Sequence, residues 1–162
     1  MHYQPQLDLL QNRIILVTGA SDGIGREAAM TYARYGASDI LLGRNDEKLR
    51  AVAQEMDREG LRPARWFTLD LLTCTPKECQ HIAQQVSLHY PHLDGVLHNA
   101  GLLGDVVPMD QQDPAVWQQV MQVNVNGTFM LTQALLPLLL KAESGSLVFT
   151  SSSVGREGRA NW

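Results

Sequence analysis

Thr18-Gly19-Ala20-Ser21-Asp22-Gly23-Ile24-Gly25 stands directly after a short β-type run, Arg13–Thr18, and directly before a helical stretch that stops at Gly36. Glycines spaced G-x-x-x-G-x-G between a strand and a helix have a definite physical use. They let the backbone turn sharply and approach a pyrophosphate closely, while the helix that follows offers unpaired N–H groups and the positive end of its dipole. Thr18, Gly19, Ser21, Asp22, Gly23, Ile24 and Gly25 are therefore the first candidate binding residues. A glycine triplet alone is weak, and a plain tight turn is the bland alternative; the strand-to-helix setting is what raises its value.

Working outward, Asp39–Leu42, Arg65–Leu69, Leu93–His98 and Ser146–Ser151 read as further strands, with helical segments between them. Runs that are apolar on nearly every residue suit a parallel sheet covered on both faces, and crossover helices are what such a sheet needs. The expectation is an α/β, Rossmann-type doubly wound sheet of strand order 3-2-1-4-5 with helices on both faces, residues 1–162 forming one dinucleotide-binding domain. The punctuation agrees. Gly36 can end the first helix in the left-handed conformation; Asp46 can cap the second, with Leu49, Val52, Ala53 and Met56 at core spacing. Thr75-Pro76 and Asp113-Pro114 open the third and fourth. The stretch 116–141 is long and apolar, and Asn124, Asn126, Gly127 and Pro137 within it predict a bend.

Composition narrows the function classes. Apolar residues are 44% and charged residues 19%, with a net charge of -4, so the chain is neither disordered nor membrane-spanning and has no basic stripe for nucleic acid. Met1-His2-Tyr3-Gln4-Pro5 carries no cationic leader, and Ile14–Val17 is too short for a span, which points to a cytoplasmic address. Cys74 and Cys79 lack the second ligand pair of a zinc site and read as reduced thiols; the five histidines form no ligand cluster, so no metal is expected.

Three further blocks extend the pattern: His98-Asn99-Ala100-Gly101 after the fourth strand, Asn124-Val125-Asn126 in the long helical stretch, and Gly145–Ser152 as a strand ending in serine. With Thr18–Gly25 they resemble, in order and spacing, the short-chain dehydrogenase/reductase family from about Asp8 onward. The resemblance implies hydride exchange between a nicotinamide cofactor and a carbonyl or alcohol compound, with Asn99, Ala100 and Gly101 in the cofactor site. It implies that Ser152, in a Ser-x-x-Gly frame with Gly155, hydrogen-bonds the substrate oxygen. It also implies that Asn124 kinks the helix, holds a water through its backbone and ties helix to strand. Without the resemblance, Ser152 reads as a turn residue and Asn124 as a buried polar kink. Two departures stand out. His98 replaces an asparagine, and residues 153–162 contain no Tyr-x-x-x-Lys block, so the domain is expected to be incomplete on its nicotinamide and substrate side.

Cofactor choice turns on the end of the second strand, Leu42-Gly43-Arg44-Asn45. Arg44 suits a 2′-phosphate, so NADP(H) is expected ahead of NAD(H), against the alternative of a solvated arginine. Asp39 sits at the wrong end of its strand to grip a ribose. Asp22 points the other way, because NADP-preferring relatives often carry a basic residue there. Asp70 and Leu71, after the third strand, are where the family reads the adenine edge; a solvated turn aspartate is the alternative. Two rival readings remain: a non-catalytic nucleotide-binding fragment, and an adenosylmethionine-dependent methyltransferase, which Gly43-Arg44 disfavours for want of an acidic residue. The expected partners are a small carbonyl or alcohol compound and a second copy of the chain, through the helix 116–141, with neither nucleic acid nor membrane.

Overall fold

The computed structural model describes residues 5–162; Met1–Gln4, part of the start that reads as lacking a leader, lies outside the described residues. The strands are β1 (Ile14–Thr18), β2 (Ser38–Gly43), β3 (Arg65–Thr68), β4 (Gly95–His98) and β5 (Ser146–Phe149). They form one sheet in the order β3-β2-β1-β4-β5, and every neighbouring pair is parallel. Between them run α1 (Gly23–Arg34), α2 (Asp46–Arg58), α3 (Pro76–Ser87), and α4 (Pro114–Met121) with α5 (Thr128–Leu139).

Successive side chains of a strand point to opposite faces, so a strand that is apolar throughout needs a helix on each side. Ile15, Val17, Leu41 and Leu97 pack under α1 and α2, with Ala29, Met30, Leu49 and Met56. Leu16, Ile40, Leu42 and Val96 pack under α3 and α5, with Ile82, Val86, Leu131 and Leu135. Each fully buried leucine or isoleucine contributes about 1.5–3 kcal/mol of transfer free energy, so both layers are needed to hold the sheet. The edge strand β5 keeps Val148 and Phe149 half exposed.

Several local expectations change. Asn45, not Asp46, caps α2: its side chain accepts the Lys48 N–H at 2.9 Å, and Asp46 is the first helical residue, bonded instead to Trp66 Nε1 at 3.0 Å. The strands begin or end one or two residues from the expected bounds. The bend expected within 116–141 is present. A π-helical turn, Gln122–Gly127, separates α4 from α5, and Leu131, Leu135, Leu138 and Leu139 are buried while Phe129, Leu136 and Leu140 face outward. At Gly127 a Cβ would come within 2.6 Å of the Leu71 carbonyl oxygen, so only glycine lets the helix run against the segment after β3. Gly36 (φ +94°) does close α1, and Thr75 and Glu78 form a capping box at α3.

Asp39 breaks the apolar pattern. It is 1% exposed opposite Ile15, and neither carboxyl oxygen has a partner among the described residues. Burial pushes its pKa up to about 8, and the nearby Tyr32 phenol is raised by its own burial and by Asp39. The folded state therefore keeps a proton that the unfolded chain releases near pH 4. Stability from this group is complete below that pH and is lost as pH rises toward 8. Asp39→Val is expected to be the more stable form at pH 8 by about 2–5 kcal/mol, with a much smaller gain at pH 4. Urea unfolding of both proteins at the two pH values checks this, and an equal gain at both would refute the buried acid as its source.

Candidate dinucleotide site

The chain leaves β1 toward β2 on one side and later returns to place β4 on the other. A crevice therefore opens at the carboxyl ends of β1 and β4, the place where doubly wound sheets bind ligands. Thr18 ties the two ends together. Its buried hydroxyl accepts from the N–H groups of Asn99 and Ala100, each at 3.0 Å. Thr18 thus holds the floor of the crevice instead of facing into it. Asn99 extends the tie, because its Oδ1 accepts from Thr150 Oγ1 at 3.2 Å, just beyond β5.

Above this floor lies the glycine turn. Gly19 has φ +66°, and the next amide, Ala20 N, is pinned to Leu42 O at 3.2 Å, which locks the turn to the end of β2. A Cβ on Gly25 would lie 2.3 Å from the Gly19 carbonyl oxygen and 2.6 Å from Asn99 Nδ2, so the first turn of α1 is seated directly on the loop and on Asn99. Gly23 (φ +52°) is the opposite case, with nothing within 4 Å of its missing Cβ. Gly25 makes the close helix-to-strand approach, and Gly23 leaves open space at the helix start. Exposed Ile24 sits between them, and half-buried Ser21 turns toward Gly43. An anion above this helix start would meet no Cβ at Gly23, and the Gly23 N–H itself is taken by the Asp22 carboxylate. The residues fit a dinucleotide pyrophosphate.

Asp22 caps α1, accepting from Gly23 N at 2.9 Å through Oδ1, while its Oδ2 takes the Lys48 ammonium at 2.7 Å. The Lys48 hydrogen bond and the Gly23 N–H hold its pKa below the usual carboxylate value, so it is charged. Sequence reasoning singles out Asp22 as an unfavourable sign but misses Lys48. The available signal is a cation in the first turn of a helix, where the dipole disfavours it and another partner has to hold it.

Arg44 is exposed at the end of β2, and no hydrogen bond or ion pair of its guanidinium occurs among the described residues. It borders a cleft of about 340 Å³ shared with Thr68, Asp70, Cys74, Lys77 and His81. Asp70 Oδ1 accepts from Leu72 N at 2.9 Å, which fixes its carboxylate over the turn after β3. The carbonyl of buried Leu71 accepts from Gln122 Nε2 at 3.2 Å. Asn45, as the α2 cap, has its Oδ1 engaged.

On the far side, Asn124 grips Leu102 twice, accepting from its N–H and donating to its carbonyl, both at 2.8 Å. The π turn is thereby clamped to the segment after Gly101, with both the oxygen and the nitrogen of the Asn124 amide engaged. Ser152 caps a short 3₁₀ turn (Ser153–Gly155) through a long 3.4 Å contact from Val154 N, leaving its hydroxyl exposed. Val154 lines an apolar cleft, also about 340 Å³, with Leu103, Met109, Trp117 and Val120. His98, the departure from the pattern, is buried and neutral. Burial pulls its pKa down to about 4, its ring stacks on Phe149 at 5.0 Å, and Nε2 lies 2.9 Å from Thr132 Oγ1. That hydroxyl already donates to Thr128 O, so the ring donates from Nε2 and ties β4 to α5. Cys74 and Cys79 are free thiols, and burial pushes Cys79 up to about 12. No group of metal-ligating side chains occurs among the described residues, and no helix among them is long and apolar enough to cross a membrane.

A family model described as short chain dehydrogenase matches residues 13–162. The uncharacterized oxidoreductase YciK of Escherichia coli strain K12 is 75% identical over 162 residues, which is 100% of this chain and 64% of that protein. A short chain dehydrogenase from Escherichia coli CFT073 complexed with NADPH superposes with a TM-score of 0.95 at 75% identity, covering 98% of this chain and 66% of the other. One from Shigella flexneri 2a complexed with NADP gives 0.94 at 73% identity, covering 97% and 66%. The chain thus spans about two thirds of the length of these relatives.

Proposed function

The chain belongs to the short-chain dehydrogenase family, and on that premise we propose that it holds NADP(H), in preference to NAD(H), for oxidoreduction of a small carbonyl or alcohol compound. The observation that carries this reading is the pairing of the open space at the Gly23 Cβ position with the Arg44 guanidinium at the end of β2, which has no partner among the described residues. Buried Asp39 supports it from the other side, since a carboxyl 1% exposed at the opposite end of β2 cannot grip a ribose. Solved relatives complexed with NADP and NADPH support it as well.

In this reading Gly19, Gly23, Ile24 and Gly25 cradle the pyrophosphate, with Thr18 and Asn99 fixing the floor. Arg44 and Asn45 meet the adenosine ribose and its 2′-phosphate. Asp70 and Leu71 border the adenine, and Ala100 and Gly101 flank the ribose on the nicotinamide side. The nicotinamide, when bound, supplies or accepts the hydride. Ser152 fixes the substrate oxygen, and Asn124 is a positioning residue that holds the helix against Leu102. The apolar cleft beside Val154 suits the hydrocarbon part of such a compound. Outward-facing Phe129, Leu136 and Leu140 form the contact with a second copy in the same reading, and the setting is cytoplasmic.

An arginine fork on a phosphate makes charge-assisted bonds that an unphosphorylated ribose cannot. NADP+ should therefore bind about tenfold or more tightly than NAD+, and Arg44→Ala should remove most of that difference. Calorimetric titration of both nucleotides against both proteins is the test. Equal discrimination in the two proteins would sink the assignment of Arg44.

A further inference from the structure

Asp22 poses a problem for NADP(H) binding. Its charged, exposed carboxylate stands in the glycine turn, and the lysine it holds bonds through its N–H to Asn45, the residue after Arg44. A 2′-phosphate bound by Arg44 would approach a like charge. The carboxylate is not a free choice of the sequence, because it also caps α1 through Gly23 N.

The structure supplies a compensating charge from a different element. Lys48 lies in the first turn of α2, three residues after the cap Asn45, and reaches across to the glycine turn to place its ammonium 2.7 Å from Asp22 Oδ2. That position is costly unless the ammonium has a partner, since it lies at the positive end of the α2 dipole. The neighbouring acidic residue Asp46 is engaged by Arg50 at 3.1 Å and by Trp66, so it does not compete for Lys48. An ammonium carries three donors. Lys48 can keep Asp22 with one and offer another to a phosphate between the two elements.

We infer that Lys48 is a specificity-determining residue for the 2′-phosphate: the Lys48–Asp22 pair, bridging α2 to the glycine turn, supplies a second cation from the helix start that follows Arg44 and neutralises Asp22. This rests on the proposed NADP(H) binding. It assigns to Lys48 the role that a basic residue at position 22 would otherwise have.

The pair makes a double-mutant cycle diagnostic. The probes are 2′,5′-ADP and 5′-AMP, which differ only in the 2′-phosphate, titrated calorimetrically into wild type, Lys48→Ala, Asp22→Asn and the double variant. Asparagine caps a helix as well as aspartate does, so Asp22→Asn keeps α1 intact. Lys48→Ala should weaken 2′,5′-ADP about tenfold or more and leave 5′-AMP within about twofold. In the Asp22→Asn background the loss should be several times smaller, because no bare carboxylate is left facing the phosphate. The loss in the single variant should also shrink as salt is raised. An equal loss for both nucleotides would mean that Lys48 only props the loop, and no loss for either would remove it from the site; each overturns the proposal. If wild type binds the two nucleotides equally, the NADP(H) reading fails with it. If wild type discriminates and Lys48→Ala discriminates as well, that reading stands and only the role of Lys48 falls.

Discussion

Gly25→Ala is expected to abolish dinucleotide binding, weakening it by at least about a hundredfold, while the chain stays folded. The added methyl has nowhere to go. It would lie 2.3 Å from the Gly19 carbonyl oxygen and 2.6 Å from Asn99 Nδ2. Neither neighbour yields cheaply. Gly19 is held at φ +66°, and the amide after it is pinned to Leu42 O. Asn99 is fastened through its backbone to Thr18 and through its side chain to Thr150. Relief has to come from α1 lifting away from the turn, which moves the N–H groups that would meet a phosphate. Overpacking of this kind costs about 1–3 kcal/mol of stability, which a domain of this size tolerates. Circular dichroism should therefore report a folded variant, and calorimetry with NADP+ should report no detectable heat at concentrations that saturate wild type. Binding within a few-fold of wild type would show that the turn is looser than its contacts imply.

The fold is legible in the sequence because strand residues such as Leu16, Ile40 and Val96 are apolar on nearly every position and are separated by capped helices, and both features are local. The strand order follows from the glycine turn, since β1 must border a crevice on its carboxyl side. What escapes the sequence depends on side chains meeting across elements. Asn45 and Asp46 are both good caps in isolation; in the fold Asn45 takes the Lys48 N–H, while Asp46 bonds across to Trp66 of β3. The Thr18 hydroxyl looks like a ligand group until Asn99 and Ala100 are seen to use it. Lys48 and Asp22 are 26 residues apart, and no periodicity links them. The bend at the Asn124 block is readable from its polar residues within an apolar helix, but its double bond to Leu102 belongs to the tertiary arrangement of the segment after β4. The position of Asp39 in its strand already rules out ribose binding; that it is a buried acid without partners among the described residues follows only from the packing of α1 over β2.

Residues 1–162 by themselves are expected to bind NADPH and to consume it negligibly with carbonyl substrates. Reduction of a carbonyl needs a proton for the developing alkoxide and a donor that fixes the oxygen. Ser152, exposed just past the end of β5, can serve as the second. No candidate for the first stands near it among the described residues. Tyr32, Tyr35 and Tyr90 belong to α1, its end and the turn after α3, Tyr32 and Tyr90 have phenols raised by burial, and no tyrosine follows Ser152 in the sequence. His98 donates from Nε2 to Thr132 and is neutral down to about pH 4, so it is no substitute. Positioned general acid catalysis is worth about 10²–10⁴-fold, and the part of the Escherichia coli relative that residues 1–162 do not match is expected to add orientation of the substrate. A chimera joining residues 1–162 to the remaining third of the Escherichia coli relative restores those parts. It should oxidise NADPH with a panel of aldehydes, ketones and quinones at least about 10²-fold faster than residues 1–162, and Ser152→Ala in the chimera should lower that rate about 10²-fold. Equal rates for the two lengths would locate the proton donor inside residues 1–162 and leave the added third with no part in the proton transfer.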